Sequence, residues 1–322
     1  MSVVAAIGIG GTHFHFAAGT PDGHLRTAIE TEPTRPEELC EQVVAAVEEL
    51  NRRLHEEIGT IAVACRGLVD QEHGLIELME ITGGPRIQDL PLRQQIREQL
   101  GMSLSLENDC TAAALAEYYF GAGHGYNSIV HVTIGTGIGA GIVDHGHIVR
   151  GESNFAGEVG GIPVEDRNGR AWCGIDGAWE AHCSGPGIAG SVERWLADEE
   201  RNSPLTALAP EELDAPRIFS IAKDGDTVAC EYLDHVSRAN AEALGVIANL
   251  FDPGLITLGG GVALNNGEII LDGIERHIED YVVGERPLIQ LTEIENMGIR
   301  GALAQVRHQR TRGIESVATI QD

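Results

Sequence analysis

Ile7-Gly8-Ile9-Gly10-Gly11-Thr12-His13-Phe14-His15-Phe16, near the N-terminus, and Val132-Thr133-Ile134-Gly135-Thr136-Gly137-Ile138-Gly139-Ala140-Gly141-Ile142-Val143, in the middle of the chain, decide the fold. Each stretch has a β-branched run, a Gly/Thr turn and then alternating apolar residues, which predicts a strand–turn–strand hairpin. Glycines let the backbone N–H groups of such a turn approach an anion closely, and threonine adds a hydroxyl donor. The pair therefore predicts two lobes that face a polyphosphate from opposite sides.

Other glycine-rich phosphate motifs fit the chain less well. The spacing of Gly135, Gly137 and Ala140 matches a dinucleotide-binding fingerprint, but that fingerprint has to open a helix. Here Ile142-Val143 continues a strand, and Asp144-His145-Gly146 indicates a hairpin turn. The sequence contains no Gly-Lys-Ser/Thr phosphate loop. Two ordinary tight hairpins without a ligand remain the alternative.

The chain is strongly acidic. Its 322 residues, enough for two lobes, include 49 acidic and 22 basic side chains, a formal charge of −27, and its single lysine is Lys223. Salt screens the resulting repulsion, so this composition favours adaptation to high cytoplasmic salt, with a merely acidic mesophilic protein as the alternative. No basic stripe is visible, which argues against nucleic acid and anionic membranes as partners.

Cysteine usage and hydropathy predict a soluble, cytoplasmic protein without disulfides. The six cysteines form no Cys-x-x-Cys pair. The N-terminus has no basic segment followed by a long apolar run, and no apolar run approaches the length of a membrane span.

The rest of the chain alternates predicted helices and strands, which indicates an α/β architecture. Helices are predicted within Pro36–Ile58 and over Leu92–Leu100, Thr111–Tyr119 and Glu231–Phe251, and strands over Val3–Ala18 (two), Ile61–Ala64, Ser103–Leu106 and Leu255–Leu258. Asn202–Pro216, which contains three prolines, is predicted to be a surface loop.

Asn108-Asp109 lies where a predicted strand ends and a helix begins, a common place for a reactive carboxylate. Transfer of a phosphoryl group to a hydroxyl needs a positioned base, and Asp109 could take that role. The alternative is that either residue only caps the helix. The two neighbouring phosphate hairpins favour the catalytic interpretation.

These residues resemble the ROK family of sugar kinases and related repressors, in the actin-like ATPase superfamily. The matching segments occur in family order over nearly the whole chain: Gly10-Gly11-Thr12, Leu106-Glu107-Asn108-Asp109, Gly135-Thr136-Gly137-Ile138-Gly139, Gly157-Glu158-Val159-Gly160, Gly174-Ile175-Asp176-Gly177-Ala178-Trp179-Glu180, and Asp252-Pro253 to Gly261. The resemblance implies an α/β, two-lobed actin-like ATPase fold, ribonuclease H-like, with a ligand cleft between the lobes. The N-terminal lobe would comprise 1–112 plus about 302–322, and the C-terminal lobe 113–301.

The resemblance also implies site residues. Asp109 would be the catalytic base, and Asn108, Glu158 and Glu180 would hold sugar hydroxyls, which suits carboxylates because each accepts several hydrogen bonds. The alternatives are a solvated Glu158 and a Glu180 that pairs with an arginine. The residues implied for ATP are Gly10, Gly11, Thr12, Gly135, Thr136 and Gly137 at the phosphates and Gly259, Gly260 and Gly261 at the nucleoside. Mg²⁺ would accompany ATP, and the protein would be a homodimer or higher homo-oligomer.

The chain departs from the family pattern at its metal positions. Gly8 stands where the family has an Asp that supports the magnesium shell. Gly161, Ala171 and Ala178 replace three zinc ligands, and the remaining Cys173 cannot hold structural zinc alone. We therefore expect no structural zinc and no protein-held metal. A sugar-contacting Asn of the family aligns with Gly83.

These observations predict an ATP-dependent sugar kinase that transfers the γ-phosphate to a hydroxyl of a hexose or related sugar. The loss of the Asp at Gly8 keeps open a catalytically impaired sugar- or nucleotide-binding homologue. A sugar-sensing repressor is disfavoured, because family repressors carry an N-terminal helix-turn-helix and this chain starts with the first hairpin.

Overall fold

A computed structural model describes residues 2–82, 84–164, 173–197 and 202–313. The chain divides into two compact units. The first comprises 1–125, 148–156 and 293–322, and the second comprises 126–147 and 157–292. Gly83, Ala171, Trp172 and the end of the predicted N-terminal-lobe segment 302–322 lie outside the described residues. The predicted lobe boundaries, after residues 112 and 301, stay a prediction.

The elements follow one another with short connections. The strands are β1 (Val3–Ile9), β2 (His13–Gly19), β3 (Glu30–Pro33), β4 (Ile58–Cys65), β5 (Leu68–Asp70), β6 (Leu75–Met79), β7 (Ile87–Leu90), β8 (Leu104–Asn108), β9 (Ser128–Ile134), β10 (Ile138–Asp144), β11 (His147–Ile148), β12 (Leu255–Gly259) and β13 (Leu288–Leu291). The α-helices are α1 (Leu39–Arg53), α2 (Leu92–Leu100), α3 (Asp109–Phe120), α4 (Glu180–Cys183), α5 (Gly185–Ala197), α6 (Ala215–Lys223), α7 (Thr227–Phe251), α8 (Gly261–Asn265), α9 (Gly267–His277) and α10 (Met297–Thr311). Short 3₁₀ turns cover Pro36–Glu38, Val159–Gly161, Pro204–Ala207, Pro210–Glu212 and Ile278–Asp280.

The first unit is built on a five-stranded sheet in the order β3-β2-β1-β4-β8. β1 pairs antiparallel with β2 and parallel with β4, which in turn pairs parallel with β8. One face packs against α1 and α2 through a large apolar cluster that includes Ile7, Val43, Leu50 and Val63. On the other face, α10 contributes Leu303 and its neighbours to a second apolar cluster. A smaller sheet, β5-β6-β7, completes the unit.

The second unit repeats the same strand order as β11-β10-β9-β12-β13. Its hairpin β9–β10 is antiparallel, and β12 lies parallel to both β9 and β13. Two mixed sheets of equal strand order, packed with helices, confirm the α/β class predicted from the alternating helices and strands.

Most predicted helices and strands are present in the structure. The boundaries agree best where a capping residue or a glycine marks the end of a helix. α2 covers Leu92–Leu100 as predicted and ends at Gly101, whose φ of 66° is the left-handed conformation of a helix C-cap. The prediction that Asn202–Pro216 is one loop is wrong in part. Two 3₁₀ turns lie inside it, and α6 already begins at Ala215 because the Asp214 side chain caps it and Pro216 occupies its first turn.

Within the described ranges, none of the helices combines the length and the apolar character that a membrane crossing needs.

Candidate functional site

Three parallel strands of the first unit end in one row. Ile9 of β1 pairs with Cys65 of β4, and Cys65 pairs with Asn108 of β8. The next residues along these strands are Gly10, Arg66 and Asp109. Since ligands of α/β proteins bind beyond the carboxyl ends of parallel strands, this row is where chemistry is expected in the first unit. It brings together the first phosphate turn, the predicted base and an arginine.

The carbonyl oxygens of the predicted first phosphate turn, Gly10-Gly11-Thr12, accept hydrogen bonds from neighbouring segments. Thr34 donates its hydroxyl to Gly10 O (2.7 Å) and its N–H to Thr12 O (3.0 Å), and Thr82 N–H donates to Gly11 O (3.0 Å). Carbonyl oxygens repel anions, so their engagement is compatible with the predicted phosphate contacts of the Gly11 and Thr12 N–H groups, whereas the Gly10 N–H donates to His13 O (2.9 Å). Thr12 is exposed, as a phosphate-binding hydroxyl has to be.

Gly8, at the position of the family Asp, lies in the buried part of β1. A Cβ built on Gly8 would meet the backbone of Gly298, at the start of α10, at 3.4 Å, which is ordinary contact. The strand therefore has room for a Cβ there, so the glycine is not required by a clash of that atom with the backbone.

Asn108 is the N-cap of α3. Its Oδ1 accepts hydrogen bonds from the N–H groups of Cys110 (2.9 Å) and Thr111 (3.2 Å), and its Nδ2 donates to Gly67 O (2.9 Å). The capping alternative weighed for Asn108 is thus present. The predicted sugar contact of Asn108 stays a prediction, and it would use the second Nδ2–H.

Asp109 is the first residue of α3, and its Oδ1 accepts a hydrogen bond from Cys110 N–H (3.0 Å). Loss of contact with water raises the pKa of the Asp109 carboxyl, while the charge of Arg66 and the hydrogen bond from Cys110 oppose that rise. A carboxylate with a raised pKa is a stronger base, which suits proton abstraction from a hydroxyl.

Glu107, directly before Asn108 in the chain, forms a partly buried ion pair. Glu107 accepts a hydrogen bond from Arg150 (Nη2–Oε2 2.5 Å), from Gln71 Nε2 (3.2 Å) and from the Asn108 N–H (3.1 Å). Its side chain is 4% exposed, and that of Arg150 is 35% exposed. The pair fixes the segment that contains Arg150 to the end of β8, beside Asn108 and Asp109.

The second phosphate turn lies in the second unit, between β9 and β10. Gly135 N–H donates to Gly137 O (3.0 Å), Thr136 is exposed, and Gly135 O accepts a hydrogen bond from Gly185 N–H at the start of α5 (2.8 Å). A Cβ on Gly135 would lie 3.5 Å from Gly261 N. The turn therefore packs against the first residues of both α5 and α8.

The backbone of the glycine run after β12 lies so close to β9 that Gly259 and Gly260 leave no room for a Cβ. Gly260 has a φ of 85°, and a Cβ there would lie 2.4 Å from Ile134 O. Gly259 packs over the buried His131 ring, and Gly261 is the first residue of α8. Helix N-termini and glycine backbones suit a nucleotide, so the predicted role of Gly259, Gly260 and Gly261 is compatible with this geometry.

Glu180, the first residue of α4, is joined to the second phosphate turn. Its Oε2 accepts a hydrogen bond from the N–H of Ile138, the first residue of β10 (2.7 Å). Gly160, two residues after Glu158, lies against both, since a Cβ there would be 2.4 Å from Ile138 O and 3.4 Å from Glu180 Oε2. Glu158 itself is exposed at the start of the 3₁₀ turn. The structure thus places Glu158 and Glu180 in one neighbourhood of the second unit.

The end of the segment that corresponds to the family's zinc run is packed into the core, whereas Cys173 to Asp176 are exposed. Ala178 and Trp179 are fully buried, and the Trp179 indole N–H donates to Asn240 Oδ1 (2.8 Å). A Cβ on Gly161 would lie 3.9 Å from Cys173 Sγ, so the family's His position still neighbours the remaining cysteine. In the part of the chain that the structure describes, no group of three His, Cys, Asp or Glu side chains could hold a metal ion.

The structure places Arg66, Arg150 and Gly185 beside predicted site residues, and sequence patterns did not single them out. Arg66 could have been found from its place directly after a buried strand that runs parallel to β1. The Arg150–Glu107 contact joins residues 43 positions apart and leaves no local pattern. Gly185 opens a helix, but its contact with Gly135 depends on tertiary packing.

Comparison with known proteins agrees with this geometry. The ROK family model matches residues 4–309. A glucokinase from Thermotoga maritima is 30% identical, over 94% of this chain and 96% of the relative. The DNA-binding transcriptional dual regulator NagC of Escherichia coli is 28% identical, over 90% of this chain and 70% of its own length.

A solved structure has the same fold. The ROK family glucokinase from Streptomyces griseus, crystallised with glucose and AMPPNP, superposes with a TM-score of 0.77 at 25% identity, covering 96% of this chain and 100% of that one. The actin-like ATPase fold expected from the motifs is therefore confirmed. With the family match spanning nearly the whole sequence and the family motifs in their expected elements, the chain belongs to the ROK family.

Proposed function

We propose that this protein is an ATP-dependent sugar kinase that phosphorylates a hydroxyl of a hexose, with glucose as the first substrate to test. The observation that carries the proposal is the row at the strand ends of the first unit, where the Gly10 turn and Asp109 follow paired strands β1, β4 and β8. A phosphate-binding turn and a base with a raised pKa are the two parts that this reaction needs in one place.

Asp109 takes the proton of the sugar hydroxyl. The hydroxyl oxygen forms a bond to the γ-phosphorus, the bond from that phosphorus to the β–γ bridging oxygen breaks, and ADP leaves with the electron pair. Phosphoryl transfer depends on positioning and charge stabilisation more than on covalent help from the protein. The Asp109 carboxylate also accepts a hydrogen bond from the Cys110 N–H in the first turn of α3. This bond fixes the orientation of the carboxylate and supports its role as the base.

Asn108, Glu158 and Glu180 hold sugar hydroxyls. The bond from Ile138 N–H fixes the Glu180 carboxylate, so its orientation is set before a sugar arrives. Gly10, Gly11 and Thr12 bind phosphate in the first unit, and Gly135, Thr136 and Gly137 bind phosphate in the second. Gly259, Gly260 and Gly261 lie against the nucleoside.

Magnesium enters with the nucleotide. Gly8 offers no carboxylate at the family's magnesium-supporting position, which supports a magnesium ion held by the nucleotide phosphates and water. Mg²⁺ commonly keeps several waters and is bound largely by substrate phosphates. The protein does without structural zinc, and the support for this is that Ala178 and Trp179 at the end of the zinc run are buried and the Trp179 indole N–H donates to Asn240 Oδ1.

The protein works in a salt-rich cytoplasm as a homodimer or higher homo-oligomer and does not bind nucleic acid. A charge of −27 with a single lysine supports the first and last of these proposals.

A catalytically impaired sugar- or nucleotide-binding protein is the second candidate, and Gly8 is the observation that favours it. The two candidates separate in one experiment, which measures ADP formation from ATP at high salt over hexoses, amino sugars and pentoses. A kinase forms ADP only when an accepted sugar is present. Binding of ATP or sugar without sugar-dependent ADP across the whole panel would overturn the kinase proposal.

A further inference from the structure

The side chain of Arg66 is the one cationic group in the row of strand ends that contains Gly10 and Asp109. Arg66 directly follows Cys65, which pairs with Ile9 on one side and Asn108 on the other. Its chain position is fixed from both directions. The Arg66 N–H donates to Ile9 O (2.9 Å), and the O of the next residue, Gly67, accepts from Asn108 Nδ2 (2.9 Å).

Gly67 makes this arrangement rigid. It has a φ of 100°, and a Cβ there would lie 2.2 Å from Leu78 O, so the backbone after Arg66 can take this course only with glycine. The fixed backbone sets the point from which the Arg66 side chain extends, so the guanidinium starts beside the first turn.

The guanidinium lies against the first phosphate turn. A Cβ built on Gly11 would be 3.2 Å from Arg66 Nη1, so this atom lies beside the turn. The salt bridges formed among the described residues include none of Arg66. Arg66 is half-buried, and a cation in this position suits a phosphate as its partner.

We propose that Arg66 binds the terminal phosphate of the nucleotide and stabilises the charge on the phosphoryl group during its transfer to the sugar. The phosphate nearest to Asp109 has to be the transferred one, because Asp109 receives the proton of the attacking hydroxyl. The inference rests on the proposed kinase function for the transfer step. In that step Arg66 keeps its protons and donates hydrogen bonds, while the proton of the sugar goes to Asp109 and the electron pair of the broken bond goes to ADP.

Arg66 compensates for the absence of a magnesium-supporting carboxylate at Gly8. Where the family has a carboxylate that supports magnesium, this chain has none, yet a fixed positive charge lies one strand away beside the same turn. An arginine supplied in cis fulfils this kind of role in other phosphoryl-transfer enzymes. Arg66 also favours the charged form of Asp109, since its charge lowers the pKa of that carboxyl against the effect of burial.

Nucleotide binding tests the proposal without relying on activity. The dissociation constants of ATP, ADP and AMP are measured by calorimetry, with and without magnesium, for the wild type, Arg66→Lys and Arg66→Gln. Arg52→Gln is the matched control, because Arg52 is an exposed arginine of α1 that pairs with Glu49. Circular dichroism establishes that each variant is folded.

Arg66→Gln is expected to weaken ATP binding by about tenfold to a hundredfold, the contribution of hydrogen bonds to a charged group, and to leave AMP binding within about twofold. Arg66→Lys should fall between, because it keeps the charge and loses the planar fork. Equal ATP affinity in Arg66→Gln and wild type, or an equal loss for ATP and AMP, overturns the inference. If the phosphate-dependent loss occurs but the wild type phosphorylates no sugar, the kinase proposal fails and the Arg66 contact stands.

Discussion

The Arg150 guanidinium and the Glu107 carboxylate form a partly buried ion pair (Nη2–Oε2 2.5 Å) that connects the segment after β11 to the end of β8, just before the proposed base. Glu107 uses its other oxygen to accept from Gln71 and from the Asn108 N–H. Since Asn108 caps α3 and Asp109 starts it, this pair supports the backbone that positions the base.

Removing one partner of that pair should destabilise the protein. Arg150→Gln leaves the buried Glu107 carboxylate without its cation, and because the Arg150 side chain is 35% exposed the expected loss is about 1–3 kcal/mol, less than for a fully buried pair. The double variant Glu107→Gln/Arg150→Gln should lose less than the two single losses combined. Urea denaturation measures both, with Arg52→Gln as a surface control expected to change stability by less than about 0.5 kcal/mol. Additive losses in the double variant would show that the two side chains do not interact.

The fall of the reaction rate at low pH should follow protonation of the Asp109 carboxylate. Burial raises its pKa, and the carboxylate has to be unprotonated to accept the sugar's proton. The rate constant kcat/KM for sugar should therefore fall as pH drops through a pKa above that of an ordinary Asp. In Arg66→Gln this fall should move to higher pH, because the positive charge that favours the carboxylate is gone. A fall that stays in place or moves to lower pH in Arg66→Gln would contradict this assignment.

Gly260 and Gly225 offer a matched pair of substitutions. Both have a left-handed φ, 85° and 89°, but a Cβ on Gly260 would lie 2.4 Å from Ile134 O, whereas nothing lies within 4 Å of one on Gly225. Gly225→Ala should cost about 1–2 kcal/mol from conformation alone. Gly260→Ala should cost more and should weaken ATP binding, because the start of α8 has to move. Thermal denaturation and calorimetry would contradict the account if the two variants behaved alike.

Salt should stabilise this protein. With 49 acidic and 22 basic residues, carboxylate repulsion opposes folding and is screened by ions. Tm and activity are expected to rise from low salt to molar KCl. Because charge screening needs only an ordinary salt, a strongly stabilising salt such as sodium sulfate should not be needed for the effect. A Tm that does not change over this range would remove the support for a salt-adapted protein.

Local patterns predicted the parts of the site that lie within a few residues of one another. Both hairpins, the strand before Asn108 and the helix after Asp109 follow from periodicity, glycine turns and a capping residue. The short strands β3 and β5 were missed, since four and three residues give too little alternation to identify a strand. α6 was not predicted, and its first two residues were assigned to the loop Asn202–Pro216, although Asp214 and Pro216 are ordinary helix-start signals.

Contacts between distant residues could not be predicted in the same way. Arg66 reaches the Gly11 turn because β1, β4 and β8 run parallel in one register. That register is set by pairing between strands far apart in the chain, so it cannot be predicted from any one segment. The Glu107–Arg150 pair depends on the path of the chain through and after the β9–β11 hairpins. The cap that Asn108 makes was foreseen as an alternative to sugar binding, and only the three-dimensional arrangement shows that its Oδ1 is committed to α3.

Asp109→Asn tests the central claim most directly. Asparagine keeps the Oδ1 that accepts from Cys110 N–H and removes the basic oxygen, while Asp224→Asn changes an exposed carboxylate as a control. The measurement is the rate of sugar-dependent ADP formation at saturating ATP and sugar, with both dissociation constants determined by calorimetry. The account predicts a rate about 10²–10⁴-fold lower in Asp109→Asn with both ligands still bound. Transfer at the wild-type rate in Asp109→Asn would contradict it.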